Sequence, residues 1–100
     1  MELDNKSVHD NNCWLRCVKI FLNIEMTYAE IRRKFKLKPN TKINVVDLMN
    51  IYNTLKNPAD KPLKIIDSDY KGYIDVNKKN YIFYKKNHYT ALLKQPEARM

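Results

Sequence analysis

Two residues of this chain have the types that thiol chemistry needs. They are Cys13, in "HDNNCWLRCVKIF" (9–21), and His88, in "YKKNHYTALLK" (84–94). The thiolate is the nucleophile, and the ordinary thiol pKa of about 8.5 leaves only a few per cent ionised at neutrality. Two devices raise that fraction: the positive end of a helix dipole and a neighbouring imidazolium. Cys13 follows Asp10, Asn11 and Asn12 at a point where a helix begins, so the first device is available. The chain holds two histidines, His9 and His88, and the second opens the last strand after a tight turn. A sheet therefore carries its ring. The pair is 88 − 13 = 75 residues apart, so any contact between them is tertiary.

The elements that must position them divide the chain in two. Trp14, Leu15, Val18, Phe21 and Leu22 recur at helical spacing over 13–23, with Asn11 or Asn12 as the cap. "MTYAEI" supplies a capping box, Thr27 to Glu30, for a second helix that runs to about Leu37 and stops at "KPN". A third helix fits Asn44 to Leu55 and ends before "NPADKP". From there the period changes. "LKIID", "GYIDV", "NYIFY" and "HYTALLK" are short β-branched and aromatic runs, and "YKKNHY" marks a hairpin between the last two. The expectation is one α+β domain over 1–100. Its helical half covers about 11–56 and its strand half about 62–94. Three helices would pack on a small antiparallel sheet of three to four C-terminal strands.

Composition bounds the function. One hundred residues with 44% hydrophobic content support a single core rather than disorder. No run approaches the length of a membrane span and "MELDNKSVHD" is not a signal peptide, so the expected location is the cytoplasm, that of a host cell included. Cys13 and Cys17, four apart on one helix, are read as free thiols, with Cys17 a core residue. The formal net charge of +8 favours acidic partners without specifying nucleic acid.

In that order, "NNCWLRC", "TYAEIRRKF", "TKINVVDLMNIY" and "YKKNHYTALL" resemble the segments of the papain-like cysteine peptidases, above all the compact bacteriocin-leader-processing type. The match spans roughly residues 10 to 94. "DNNCW" is also similar to the nucleophile segment of viral papain-like proteases, and "DNNC" with "HY" to ovarian-tumour-type deubiquitinases. The resemblance implies a minimal papain-like fold with Cys13 as nucleophile and His88 as base. It implies a polypeptide substrate, an acidic or ubiquitin-like protein among the options, and neither cofactor nor metal. The chain departs from the family in three places, one being Trp14 where the leader-processing type often has Gly and viral relatives an aromatic. The oxyanion side chain that precedes the nucleophile is replaced by Ser7 and Val8, so the Cys13 amide with Asn11 or Asn12 would substitute, Asp10 and Trp14 flanking. No Asp or Asn follows His88, which leaves Asp10, Asn87 or Asp75 as a third member, or a bare dyad.

Three functions compete: a thiol hydrolase cutting a peptide or isopeptide bond, a degenerate papain-fold protein that binds and inhibits a partner, and a basic nucleic-acid-binding module. The last rests on charge and on "KKNYIFYKKNHY" (78–89), more simply an edge hairpin with lysines outward. "RRKFKLK" (32–38) reads as the solvated side of a helix. His9 reads as a loop residue, and its spacing to Cys13 and Cys17 is not that of a zinc knuckle.

Overall fold

A short strand precedes the helices, which the sequence pattern does not announce. The computed structural model describes residues 2–94. β1 (Glu2–Leu3) leads through a loop into α1 (Cys13–Leu22). Then come α2 (Tyr28–Lys34), α3 (Val45–Leu55), β2 (Leu63–Ile66), β3 (Asn80–Lys85) and β4 (His88–Leu93). The class is α+β, as expected.

Each helix follows from local signals. α1 buries Trp14, Leu15, Cys17, Val18 and Leu22 on one face, and Asn23 closes it in the left-handed region with φ 50°. α2 carries the reciprocal capping box, Thr27 Oγ1 accepting from the Glu30 N–H and Glu30 Oε1 from the Thr27 N–H, each at 3.1 Å. It ends at Lys34, short of the expected Leu37. The reason is that Lys36 adopts φ 58°, and the N–H groups of Lys36 and Leu37 turn back to the carbonyls of Arg33 and Arg32. α3 is capped by Asn44, whose Oδ1 accepts from the Asp47 N–H at 2.8 Å.

The sheet order is β1-β4-β3-β2. β3 and β4 form the expected hairpin, with Lys85 opposite His88 and the two turn residues Lys86 and Asn87 both left-handed. The rest corrects the expectation of an antiparallel sheet of C-terminal strands. β2 runs parallel to β3, and the fourth strand is β1, antiparallel to β4. "GYIDV" is not a strand but part of the long connection 67–79. Asp67 and Asp75 fold that connection locally, their carboxylates accepting from the N–H groups of Asp69 and Asn77. A crossover of that length, unlike a tight turn, brings β3 back in the same direction as β2.

The helices cover one face of this sheet. Leu15 and Val18 of α1 meet Ile82, Tyr89 and Ala91 there, and Ile31, Leu48 and Tyr52 complete the core. Asp4, just past β1, ties the strand to α1 through a two-pronged ion pair with Arg16 while its own N–H pairs with the Ala91 carbonyl at 2.9 Å. Arg16 holds the Asp4 carboxyl below the usual carboxylate range.

Arg32 departs from the solvated reading of its segment. It is only 5% exposed. Its guanidinium donates to Asn12 Oδ1 and the Asn11 carbonyl ahead of α1, and to the carbonyls of Lys38 and Thr41 after α2, and it lies 5.6 Å from the Trp14 ring. Two loops are thus clasped by one side chain, and none of these acceptors is a carboxylate.

Removing that clasp leaves the part-buried Asn11 and Thr41 carbonyls and Asn12 Oδ1 without their donor, while the Lys38 carbonyl keeps the Thr41 hydroxyl. Arg32→Ala should cost about 3 kcal/mol of stability. Arg32→Lys should recover less than half, because a point ammonium cannot span oxygens on two loops. Urea unfolding followed by Trp14 fluorescence measures this as a lower midpoint at unchanged slope. A loss below about 1 kcal/mol would show that water replaces the guanidinium.

Candidate active site

Cys13 is the first residue of α1 and is 3% exposed. Its surroundings open onto two surface recesses. One, of about 40 Å³, is shared with Trp14, Tyr84 and Tyr89; the other, of about 240 Å³, with Lys6, Arg16 and Tyr28. Sγ accepts a hydrogen bond from the Tyr89 N–H at 3.4 Å. In a two-residue hairpin the Tyr89 N–H points outward from β4, away from β3, where β1 is too short to reach. The sulfur fills that gap. It therefore touches the peptide that joins His88 to Tyr89.

Strand alternation sends the two side chains of that peptide to opposite faces. Tyr89 enters the helix-side core, where burial pushes its phenol up to about 12, and its hydroxyl donates to the Ile43 carbonyl at 3.0 Å. His88 shares the other face with Phe83, Lys85 and Thr90. Its Nε2 lies 3.0 Å from Ser7 Oγ, and its ring packs at a 34° tilt against that of His9 with centroids 4.8 Å apart. Nδ1 is buried and has no hydrogen-bond partner. No hydrogen bond joins the imidazole to the Cys13 sulfur among the described residues.

The side chains read as oxyanion support fall into two groups. Asn11 and Asn12 are committed elsewhere, Asn11 Nδ2 to the Asn40 carbonyl at 2.7 Å and Asn12 Oδ1 to Arg32. Asn12 occupies the cap position of α1 without a side-chain cap bond, so the first amides of that helix keep no intrahelical or capping partner. Asp10 instead accepts from the Asn12 N–H at 2.9 Å, shaping the turn into α1. Trp14 is 1% exposed, and its indole Nε1 is buried without a partner.

The proposed third members also resolve. Asn87 Oδ1 accepts from the Tyr84 hydroxyl, and the Asp75 carboxylate from the Asn77 N–H, so neither holds the imidazole. Ser7, which sequence reasoning placed at a vacated oxyanion position, is the residue on Nε2. No spacing signal announces that contact, because it spans 88 − 7 = 81 residues. Cys17 is buried at 1% exposure, which pushes its thiol strongly up and keeps it protonated. Among the described residues no three His, Cys, Asp or Glu side chains converge as metal ligands.

Burial lowers the His88 pKa below the ordinary 6.5; the neighbouring His9 lowers it further, and Asp10 opposes both. The unfolded chain therefore takes up this proton first, so His88's contribution to stability is complete above about pH 6.5 and is lost as the pH falls through the folded-state value. His9→Ala removes the neighbour that opposes the His88 imidazolium and uncovers the ring, and both changes act upward. An NMR titration should show the His88 pKa rise in His9→Ala; an unchanged value would mean that His9 exerts no field on it. In comparisons with protein-family models, curated proteins and solved structures, nothing matches this chain.

Proposed function

We propose that this protein is a papain-like thiol hydrolase that cleaves a peptide or isopeptide bond with Cys13 and His88. The observation that carries the reading is the contact of the Cys13 sulfur with the His88–Tyr89 peptide; the His88 ring, on the opposite face of β4, keeps an Nδ1 with no hydrogen-bond partner. The uncapped first amides of α1 and the Tyr89 N–H stabilise negative charge at that point. Catalytic hydrogen bonds commonly tighten only when substrate binds, so a thiol turned toward a strand-edge amide is compatible with a resting enzyme.

The chemistry is an acyl transfer in two halves. His88 Nδ1 takes the thiol proton as Sγ attacks the carbonyl carbon, and the oxyanion meets the amides at the start of α1. The Trp14 indole N–H, buried without a partner, is the side chain best suited to join them. Collapse expels the amine, which receives the proton from Nδ1, and water then hydrolyses the thioester with His88 again as base. Because burial and His9 disfavour the imidazolium, His88 rests neutral at pH 7 and acts as a base, not as the cation of a standing ion pair. The formal net charge of +8 suits docking on an acidic polypeptide.

A second reading is favoured by the 3% exposure of Cys13 and the absence of a thiol–imidazole hydrogen bond among the described residues: a degenerate member of the fold that binds a partner. Alkylation by iodoacetamide separates the two, with mass spectrometry distinguishing Cys13 from Cys17. The hydrolase reading expects fast Cys13 labelling at pH 7. The rate should fall only below pH 6.5 and drop about tenfold in His88→Ala, as loss of a positioned base requires. Slow labelling that rises only in alkali and ignores His88→Ala would overturn it. Binding that survives Cys13→Ala would then support the second reading.

A further inference from the structure

The resemblance to papain-like enzymes leaves the base without an acidic or amide side chain to orient it, and the structure puts something else there. We infer that Ser7 is the positioning residue of His88: its hydroxyl oxygen accepts from Nε2–H, holds the ring over the β4 edge, and leaves Nδ1 as the nitrogen that takes the Cys13 proton. This assignment rests on the hydrolase reading and adds a residue to it.

Three observations converge. Ser7 Oγ and His88 Nε2 are 3.0 Å apart, while Nδ1 is buried and unpartnered. An imidazole has two nitrogens, and occupying one as a donor makes the other a lone-pair acceptor. Sγ of Cys13 meets the peptide that joins His88 to Tyr89, so on the hydrolase reading the His88 ring, which lies on the other face of β4, reaches the sulfur round that open edge. Finally, Ser7 is itself held. Its N–H donates to the Asp4 carbonyl at 3.3 Å, and the N–H of Lys6 to Asp4 Oδ1 at 3.1 Å. Asp4 is locked by Arg16, one turn along α1 from Cys13. The helix that carries the nucleophile thus also fixes the loop that orients the base.

The S–H bond breaks as the S–C bond forms, the proton resides on Nδ1 and passes to the leaving amine, and the Nε2 proton never leaves its bond to Ser7. A hydroxyl serves here because it spreads no charge onto the ring; it fixes tautomer and direction only. The groups facing the imidazole are His9 packed against it, Asp10, and Lys85 and Lys86 around the same recess. None of these is hydrogen-bonded to either ring nitrogen.

The test is the ¹⁵N spectrum of the His88 ring in the full chain, read with the Cys13 alkylation profile. The expected wild-type result is a protonated Nε2 and a bare Nδ1 above the His88 pKa. Ser7→Ala should slow Cys13 labelling at pH 7 about tenfold and release the ring from the Nε2–H tautomer, the urea midpoint falling only by what one lost hydrogen bond accounts for. Ser7→Thr, which keeps the hydroxyl, should restore the rate. A purely structural role for Ser7 would move the urea midpoint and leave the tautomer alone. Nδ1 protonated in the wild type, or Ser7→Ala labelling at the wild-type rate, overturns the assignment. If either occurs while His88→Ala still slows the thiol, the hydrolase reading stands and only Ser7's part in it falls.

Discussion

Arg32 brings a full positive charge into the interior and meets only neutral oxygens there. Buried guanidinium groups usually face carboxylates, because the cost of leaving water is large. Here the charge is dispersed over Asn11, Asn12, Lys38 and Thr41, with the face of Trp14 beside it. The arrangement spends the Asn12 side chain, which would otherwise cap α1. The start of that helix consequently faces Cys13 with its amides uncommitted. A positive charge near a helix N-terminus is also electrostatically unfavourable for the helix and favourable for an anion beside it. Arg32 therefore connects stability and site in one group: it closes two loops and biases the thiol end of α1 toward negative charge.

The sheet supplies the other half through an imperfection. β1 is two residues long, and β4 is six, so part of the β4 edge lacks a strand partner. Unpaired strand N–H groups must find acceptors. The Ala91 carbonyl is met by Asp4, the Tyr89 N–H by the Cys13 sulfur. A longer β1 would have paired that N–H with a backbone carbonyl and displaced the thiol. The loop 5–12 that replaces it carries Ser7 and His9 past the His88 ring.

The legible and illegible parts divide by sequence distance. Helix periodicity, the Thr27–Glu30 box, the Asn44 cap and the "KKNH" turn are encoded within a few residues, and all are present. Cys13 at a helix start and His88 at a strand start were readable for the same reason. β1 is too short to show alternation, and parallel pairing of β2 with β3 depends on how a long connection closes. Arg32 sits among Arg33, Lys34, Lys36 and Lys38, so its burial carries no compositional mark; only the positions of two distant loops reveal it. The Ser7–His88 contact is of that kind too. Read locally, a serine in a loop is any serine.

The pairing of β1 with β4 has a temporal meaning. The first strand of the described chain can be placed only after the last has been made, since Glu2 lies opposite Leu93 and Leu3 opposite Leu92. During synthesis Cys13 leaves the ribosome 75 residues before His88 (88 − 13 = 75), an interval of roughly 4 to 15 seconds. Throughout that interval α1 can form, but the loop holding Ser7 has no edge to lie against. The site is thus assembled last, by the same strand pairing that completes the sheet. Whatever the thiol does, the growing chain carries it in an unassembled form until β4 has been made.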